Sequence, residues 1–408
     1  MTETVRCKAC GGACQLILDL GVQPLANNLL QVQNLRDKEP TFPLRLFVCS
    51  NCWLMQIGEL VPPVKLFSEY VYFSSYSDTF VNHARNAADR YIREFTLNQN
   101  SFVVEIASND GYLLQNFCRL GIPCLGIEPA ANIAKVARER GVNTLVEFFG
   151  HEMAKRLASE GKQADLILGN NVFAHAPQIN DFVAGLRELL KPRGRIVLEF
   201  PYAVELLEKT EFDTIYHEHV FYFTLTALMP LFARHGLEIF HVERLPIHGG
   251  SLRLFAGHKD IHARQNSVAS LLEEESHKGI CSLRYYEGFT QQVGTIREEL
   301  IRLIETLKAR GKSVAAYGAS AKGSTLLNYC GLTKDQIDFV ADRSTHKQGR
   351  LTPGTHIPIV PAEQLIEKMP DYTLLLVWNF AEEIFRQQTS YRERGGKFIL
   401  PVPKVTVL

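Results

Sequence analysis

The stretch Phe102-Val103-Val104-Glu105-Ile106-Ala107-Ser108-Asn109-Asp110-Gly111 decides the fold. Its first half is apolar and β-branched, the composition of a buried strand. Its second half is small and polar and runs into Tyr112-Leu113-Leu114, where a helix over 112–120 is expected. A strand that turns through small residues into a helix lets backbone N–H groups and the helix N-terminus approach a ligand closely. The loop is not the G-x-G-x-x-G of a dinucleotide fold, because Ala107 and Asn109 occupy two of the glycine places. With Ser108 and Gly111 it suits S-adenosylmethionine (AdoMet), which has no phosphate to cradle and whose cationic amino-acid end Glu105 could pair. NAD is the alternative, disfavoured by the missing glycines.

Working outward, Asp78 precedes an amphipathic run over 80–95. Strands are expected over 123–127, 164–168 and 195–200, with helices over 132–140 and 179–190. Strand alternating with helix means right-handed βαβ units and a parallel sheet. Glu128 closes the second strand, the place of an acid that accepts hydrogen bonds from ribose hydroxyls. Asn170 and Asn171 end a later strand at the same carboxyl edge, where open α/β sheets bind ligands.

A charged, helix-rich stretch over 267–310 leads to a second α/β block. There a strand over 313–317 precedes the tight loop Gly318-Ala319-Ser320-Ala321-Lys322-Gly323, and strands follow over 337–341 and 372–378. Lys322 precedes the second glycine, so this is not a Walker A loop. Backbone donors, Ser320 and Lys322 at a helix start suit a phosphate, and Asp342 stands where a ribose-binding acid would. An NAD site and a unit that only packs are the competing readings.

The 408 residues exceed one compact core. An α/β protein of three parts is expected: a zinc-binding domain over 1–75, a Rossmann-like AdoMet domain over 76–240 and a second Rossmann-like domain over 241–408. Lys plus Arg (44) equals Asp plus Glu (44), so no net field draws nucleic acid or an anionic membrane. No apolar run reaches the length of a membrane span, and Thr2, Glu3, Thr4 and Arg6 do not build a signal peptide. A cytoplasmic monomer is expected, in which nine cysteines speak for metal or redox chemistry rather than a disulfide framework.

Cys7-x-x-Cys10 and Cys49-x-x-Cys52 form two knuckles, and four thiolates complete a closed tetrahedral zinc shell. The gap between the pairs exceeds the ~15–20 residues of a compact ribbon, so a redox dithiol or coincidence remains the competing reading. A DNA-binding ribbon is the functional competitor, but the region has no basic stripe.

Tyr216-His217-Glu218-His219 places four titratable side chains in a row among aromatic and apolar neighbours. Such a row is expensive in a core, so a cleft is its natural home. Histidine suits proton abstraction at neutral pH, and an adjacent Glu or Tyr can orient it or hold charge developing on oxygen. The His-x-His pair could chelate, although no HExxH spacing is present, and a hydrogen-bonded structural loop is the bland alternative. His175 reads more readily as a satisfied loop histidine than as a base. Tyr70 and Tyr72 lie in an aromatic run that reaches a sugar or simply packs. His248-Gly249-Gly250-Ser251-Leu252-Arg253 exposes backbone donors, with Arg253 either gripping an anion or pairing with a carboxylate.

Taken together, these motifs resemble the nucleotide-sugar C-methyltransferases, AdoMet-dependent enzymes that methylate C3 of TDP-4-keto-deoxysugars. The resemblance spans nearly the whole chain. It implies a zinc-binding N-terminal domain, a central AdoMet domain and a C-terminal Rossmann-like domain that helps hold the TDP-sugar. It also implies His219 as catalytic base with Tyr216 and Glu218 as partners, and Tyr70 or Tyr72, His175, His248, Arg253, Ser320 and Lys322 toward the substrate. A place in antibiotic or cell-surface deoxysugar synthesis is the corresponding expectation.

Overall fold

The computed structural model describes residues 5–36, 38–67 and 73–408, without the side chain of His248. Tyr70 and Tyr72 therefore lie outside the described residues. The N-terminal part is built on Cys14–Pro24 (β1), Thr41–Cys49 (β2) and Met55–Ile57 (β3), an antiparallel set.

Asp78–Glu94 (α1) begins the central part, with the Ser77 side chain accepting from the Phe80 amide. Phe80, Ala84, Ala87, Ala88 and Tyr91 recur at helical spacing and are its buried face. Then come Val103–Ile106 (β4), Gln115–Cys118 (α2), Cys124–Ile127 (β5), Ala131–Glu139 (α3), Thr144–Leu145 (β6) and Ala164–Asn170 (β7). Ile179–Leu189 (α4) leads into Leu190–Pro201 (β8), and Phe221–Tyr222 (β9) precedes Leu225–Arg234 (α5). The hairpin Leu237–Leu245 (β10) and Ser251–His258 (β11) completes the sheet.

The seven strands run in the order β10-β11-β8-β7-β4-β5-β6. All pair in parallel from β8 to β6, and β11 is antiparallel to both its neighbours. From β4 the chain winds outward to β6 and then returns to the other side at β7. That reversal opens a crevice at the carboxyl ends of β4 and β7. The final hairpin ends at His258, so sheet continuity carries the central unit past residue 240, where the sequence had suggested a boundary. That hairpin was not anticipated; β11 is buried along almost its whole length and so shows no alternation of buried and open positions.

Asn266–Lys278 (α6) and Phe289–Ala309 (α7) form the helical link. Beyond it, Val314–Tyr317 (β12), Ala321–Cys330 (α8), Val340–Asp342 (β13), Ile359–Pro361 (β14), Tyr372–Leu375 (β15), Lys397–Leu400 (β16) and Thr406–Val407 (β17) form a sheet ordered β14-β13-β12-β15-β16-β17. Only β17 is antiparallel in it. Gly318 follows β12 with φ +90, and a Cβ there would come within 2.4 Å of Val377 Cγ2, so glycine is required at this turn.

The three parts share backbone. β9 leaves the central unit to pair with β3, Phe221 opposite Gln56 and Tyr222 opposite Met55. Leu30–Gln31 pairs with Arg350–Leu351, tying the first part to the last.

Glu275 on α6 shows how a buried charge is accommodated. Its Oε1 accepts from Tyr202 Oη (2.7 Å) and the Leu225 amide (2.8 Å), and its Oε2 from the amide (2.7 Å) and hydroxyl (2.6 Å) of Thr226. The carboxylate thus caps the N-terminus of α5, where the helix dipole also favours negative charge. Glu275→Ala would leave two helix amides without their acceptor and take one partner from the Tyr202 hydroxyl. It is expected to cost about 3 kcal/mol, read as a lower midpoint of urea unfolding.

Candidate active site and metal centre

The sulfurs of Cys7, Cys10, Cys49 and Cys52 all lie within 4.8 Å of one another. Cys7 and Cys52 are 3.6 Å apart and Cys10 and Cys49 3.5 Å, close to the ~3.8 Å edge of a tetrahedron with Zn–S bonds of about 2.3 Å. The Gly12 amide donates to Cys10 Sγ (3.4 Å), and the Asn51 and Cys52 amides to Cys49 Sγ (3.4 and 3.5 Å), which suits thiolates. A Cβ on Gly12 would come within 3.1 Å of Cys49 Sγ. The set fits structural zinc. The long gap between the pairs is taken up by β1 and β2, whose register sets Cys14 opposite Cys49 and returns the chain to the metal corner. Asn180 and Arg234 dock this corner on the central unit by donating to the Lys8 and Ala9 carbonyls.

A cavity of about 650 Å³ opens at the crevice between β4 and β7 and extends to the C-terminal unit. It is lined by Ala107, Asn109, Glu128, Asn170 and Asn171 from the carboxyl edge of the central sheet, by His175, Tyr216 and His219, and by Ser320 and Lys322 from the C-terminal unit. Ala107 (φ 52), Asn109 (φ 48) and Asn171 (φ 54) all adopt left-handed backbone, a strain of about 1–3 kcal/mol each that collects at functional sites.

Glu128 sits at the end of β5, its oxygens accepting from the Asn109 amide (3.0 Å) and the Ala130 amide (2.9 Å). Burial pushes its carboxyl up to about 7, against the pull of those two amides. The place and the free acceptor capacity of the carboxylate fit the ribose of AdoMet.

His219 is fixed from both sides. Its Nδ1 lies 2.9 Å from the Thr214 carbonyl, which can only accept, so Nδ1 carries the proton. The neutral ring then has its lone pair at Nε2, where Tyr216 Oη donates at 2.7 Å. The rings of His175 and His219 lie 4.8 Å apart. Loss of water around His175 pushes it down to about 4, so it stays neutral beside His219 at physiological pH.

Lys322 Nζ is shielded from solvent, makes no hydrogen bond among the described residues, and lies 4.6 Å above the Trp378 ring. Burial pulls its pKa down, while Asp213 and Glu211 push it up. Burial pushes Glu211 up to about 7 in turn. A lysine on a cavity wall with unused hydrogen-bond donors is a ready place for an anion.

Several expected residues stand elsewhere. Glu105 shares its strand face with Val103, so alternation along β4 turns it away from the cavity and under the α2 side. Burial first, then Asp110 and Glu128, hold its carboxyl well above the usual range, and it is not on the wall where it could meet a ligand's amino group. Ser108 is wholly buried against Gly126, and Gly111 against Val142; they shape the loop from behind. Glu218 is also off the wall and accepts from Asn27 Nδ2 at 2.7 Å. Arg253 pairs with Glu199 (2.9 Å) and Glu243 (3.4 Å), beside His83, so its role is the carboxylate pair and not an anion grip. His217 turns to the Pro43 carbonyl while His219 faces the cavity, so this pair does not converge as chelating histidines would.

Asn27 and Thr214 were not anticipated on the cavity wall. Thr214 serves through a backbone carbonyl that every residue type has, and Asn27 arrives from a distant domain, so neither carries a local signal.

The sheet order with its antiparallel β11, and a cavity at the strand reversal, define a Rossmann-like methyltransferase. Three family descriptions match consecutive segments: "Putative zinc binding domain" over 7–67, "Methyltransferase domain" over 80–242 and "C-methyltransferase C-terminal domain" over 246–403. The chain is 39% identical over 404 residues to C-methyltransferase NovU of Streptomyces niveus, covering 98% of this chain and 96% of that relative. The chain belongs to this family of zinc-containing, AdoMet-dependent C-methyltransferases.

A ubiquinone biosynthesis O-methyltransferase of Roseobacter denitrificans is 32% identical over 93 residues, 22% of this chain and 38% of that one. A solved magnesium protoporphyrin IX methyltransferase of Synechocystis with bound SAH is 13% identical with a TM-score of 0.35, over 43% of this chain and 82% of that one. Among the described residues no helix is long and apolar enough to cross a membrane.

Because Cys49 is fully buried in the metal corner, Cys49→Ser is expected to lower both bound zinc and soluble yield. Zinc per chain by atomic emission, on whatever folded protein is recovered, checks this; unchanged stoichiometry would remove Cys49 from the ligand set.

Proposed function

We propose that this enzyme methylates C3 of a TDP-linked 4-keto-deoxysugar, with His219 as the base. The observation that carries the reading is His219 itself, on the cavity wall with its lone-pair nitrogen toward Tyr216, in a cavity whose lining also includes Glu128, Asn170 and Lys322. Carbon is a poor nucleophile until it loses a proton, and a ketone at C4 makes the C3 hydrogen acidic by spreading the resulting charge onto oxygen. His219 Nε2 takes that proton, a step worth ~10²–10⁴ in rate. Its Nδ1–H stays bonded to the Thr214 carbonyl, which stabilises the imidazolium that forms. Tyr216 donates either to the base or to the developing enolate oxygen.

AdoMet, when bound, supplies an electrophilic methyl group on a sulfonium. Glu128 holds the ribose, and Asn109, Asn170 and Asn171 complete the cofactor edge. Ser320 and Lys322, at the start of α8, hold the diphosphate of the sugar carrier, which gives the C-terminal unit its part in substrate binding. The enzyme's main contribution beyond the base is to keep donor and acceptor close and in line.

Solvent deuterium should appear at C3 of a TDP-4-keto-deoxysugar without methyl transfer when AdoMet is withheld or replaced by its demethylated product. His219→Asn should abolish both exchange and turnover, while calorimetry still finds AdoMet bound; near-normal exchange in that variant would remove His219 as base.

Glu128 makes the cofactor site pH-sensitive. Its carboxyl is raised to about 7, so it is mostly ionised at pH 8 and mostly protonated at pH 6. A carboxylate is the better acceptor for ribose hydroxyls, so AdoMet affinity should fall as pH drops through 7, by up to about tenfold per unit. Calorimetry across pH 6–8 checks the slope, which Glu128→Gln should flatten.

A further inference from the structure

Cys118, the last residue of α2, and Cys124, the first of β5, bring their sulfurs to 2.7 Å. That is well inside ordinary sulfur contact, and outside the zinc corner no other pair of cysteine sulfurs is in hydrogen-bond contact among the described residues. Both residues are half-buried, and neither is on the cavity wall. The short connection through Arg119, Leu120, Gly121, Ile122 and Pro123 holds them together, since Cys124 is anchored by its pairing with Val103. The hydrogen bond from the Cys124 thiol also pulls Cys118 down to about 7, which gives one member of the pair thiolate character near neutral pH.

We propose that Cys118 and Cys124 form a reversible dithiol–disulfide site on the amino-terminal edge of the central sheet, oxidised by a hydroperoxide. The Cys118 thiolate attacks the peroxide oxygen: an S–O bond forms, the O–O bond breaks, and the departing hydroxide leaves as water. Cys124 then attacks the sulfenic sulfur, the S–S bond forms and the second oxygen leaves as water. Two thiols have lost two electrons and two protons, and hydrogen peroxide has become two waters. The zinc thiols are engaged by their metal. The pair lies at the opposite end of β5 from Glu128, so its chemistry is separate from methyl transfer.

The test uses the full-length, zinc-loaded protein at pH 8. After a few equivalents of hydrogen peroxide, free thiols are blocked with N-ethylmaleimide and the chain is cut with trypsin, which cleaves after Arg119 between the two cysteines. The expected product is residues 94–119 joined to residues 120–135 and released by reductant. Recovery of the two peptides separately, alkylated or carrying sulfinic acid, at a dose that already oxidises the exposed Cys281, would overturn the proposal. A second arm uses Cys124→Ser. Without its resolving partner, Cys118 should accumulate dimedone-reactive sulfenic acid several-fold above wild type; equal labelling of the two proteins would also overturn it. Methyl transfer by Cys124→Ser should match wild type.

Discussion

Two residues of backbone, Phe221 and Tyr222, join the edge of the zinc-bearing sheet, and the active site depends on that pairing. The Ile57 amide donates to the Val220 carbonyl (2.9 Å), one residue beyond His219. His217 reaches the Pro43 carbonyl and Asn27 reaches Glu218, so the N-terminal unit grips the segment at three further points. From the opposite side the C-terminal unit bonds Trp378 Nε1 to Asp213 (2.7 Å) and Thr325 Oγ1 to the Ile215 carbonyl (3.1 Å). In the proposed mechanism the base works only if its nitrogen is held within a fraction of an ångström of its target. Here a short irregular segment acquires that rigidity by being shared among three units. A zinc ion held by the four cysteines, a closed shell with no open position, would hold together the corner from which one of those grips begins.

The cofactor edge is arranged on a different principle. Left-handed residues at 107, 109 and 171 are unfavourable in isolation, and buried carboxyls at 105 and 128 add to the cost. Hydrogen bonds from the Asn109 and Ala130 amides to Glu128, and the Arg140–Asp110 ion pair (3.0 Å), keep the loop in this form. Behind the sheet, Arg253, Glu199 and His83 cross-link β11, β8 and α1. The mixture of a strained rim on a well-satisfied scaffold is what a preorganised binding site requires.

Much of the central architecture was legible because its signals are local. The strand over 103–106, the helices over 78–94 and 131–139, and the carboxyl-edge positions of Glu128, Asn170 and Asn171 follow from periodicity and from where strands turn into helices. The β10–β11 hairpin was not legible, since β11 is buried on both faces and the hairpin's place between β8 and the sheet edge is a matter of topology. The stretch 190–194 illustrates the limit in miniature. Its Lys-Pro-Arg-Gly reads as a helix stop, and the helix does end at Leu189, but the strand begins at once, with Leu190 already paired to Ala164.

From sequence alone came the inventory: four cysteines in two knuckles, a glycine-poor cofactor loop, and a row of titratable groups around His219. Residue type sets what chemistry is available, and short-range spacing sets which groups start out near one another. Tertiary structure decided which of them face the same space. It turned Glu105 inward through strand alternation, gave Arg253 to Glu199, and set His219, Glu128 and Lys322 around one cavity although nearly two hundred positions of chain separate the outer two. Those outcomes rest on packing between distant segments and on backbone partners such as the Thr214 carbonyl, and neither leaves a mark in the identity of any single residue.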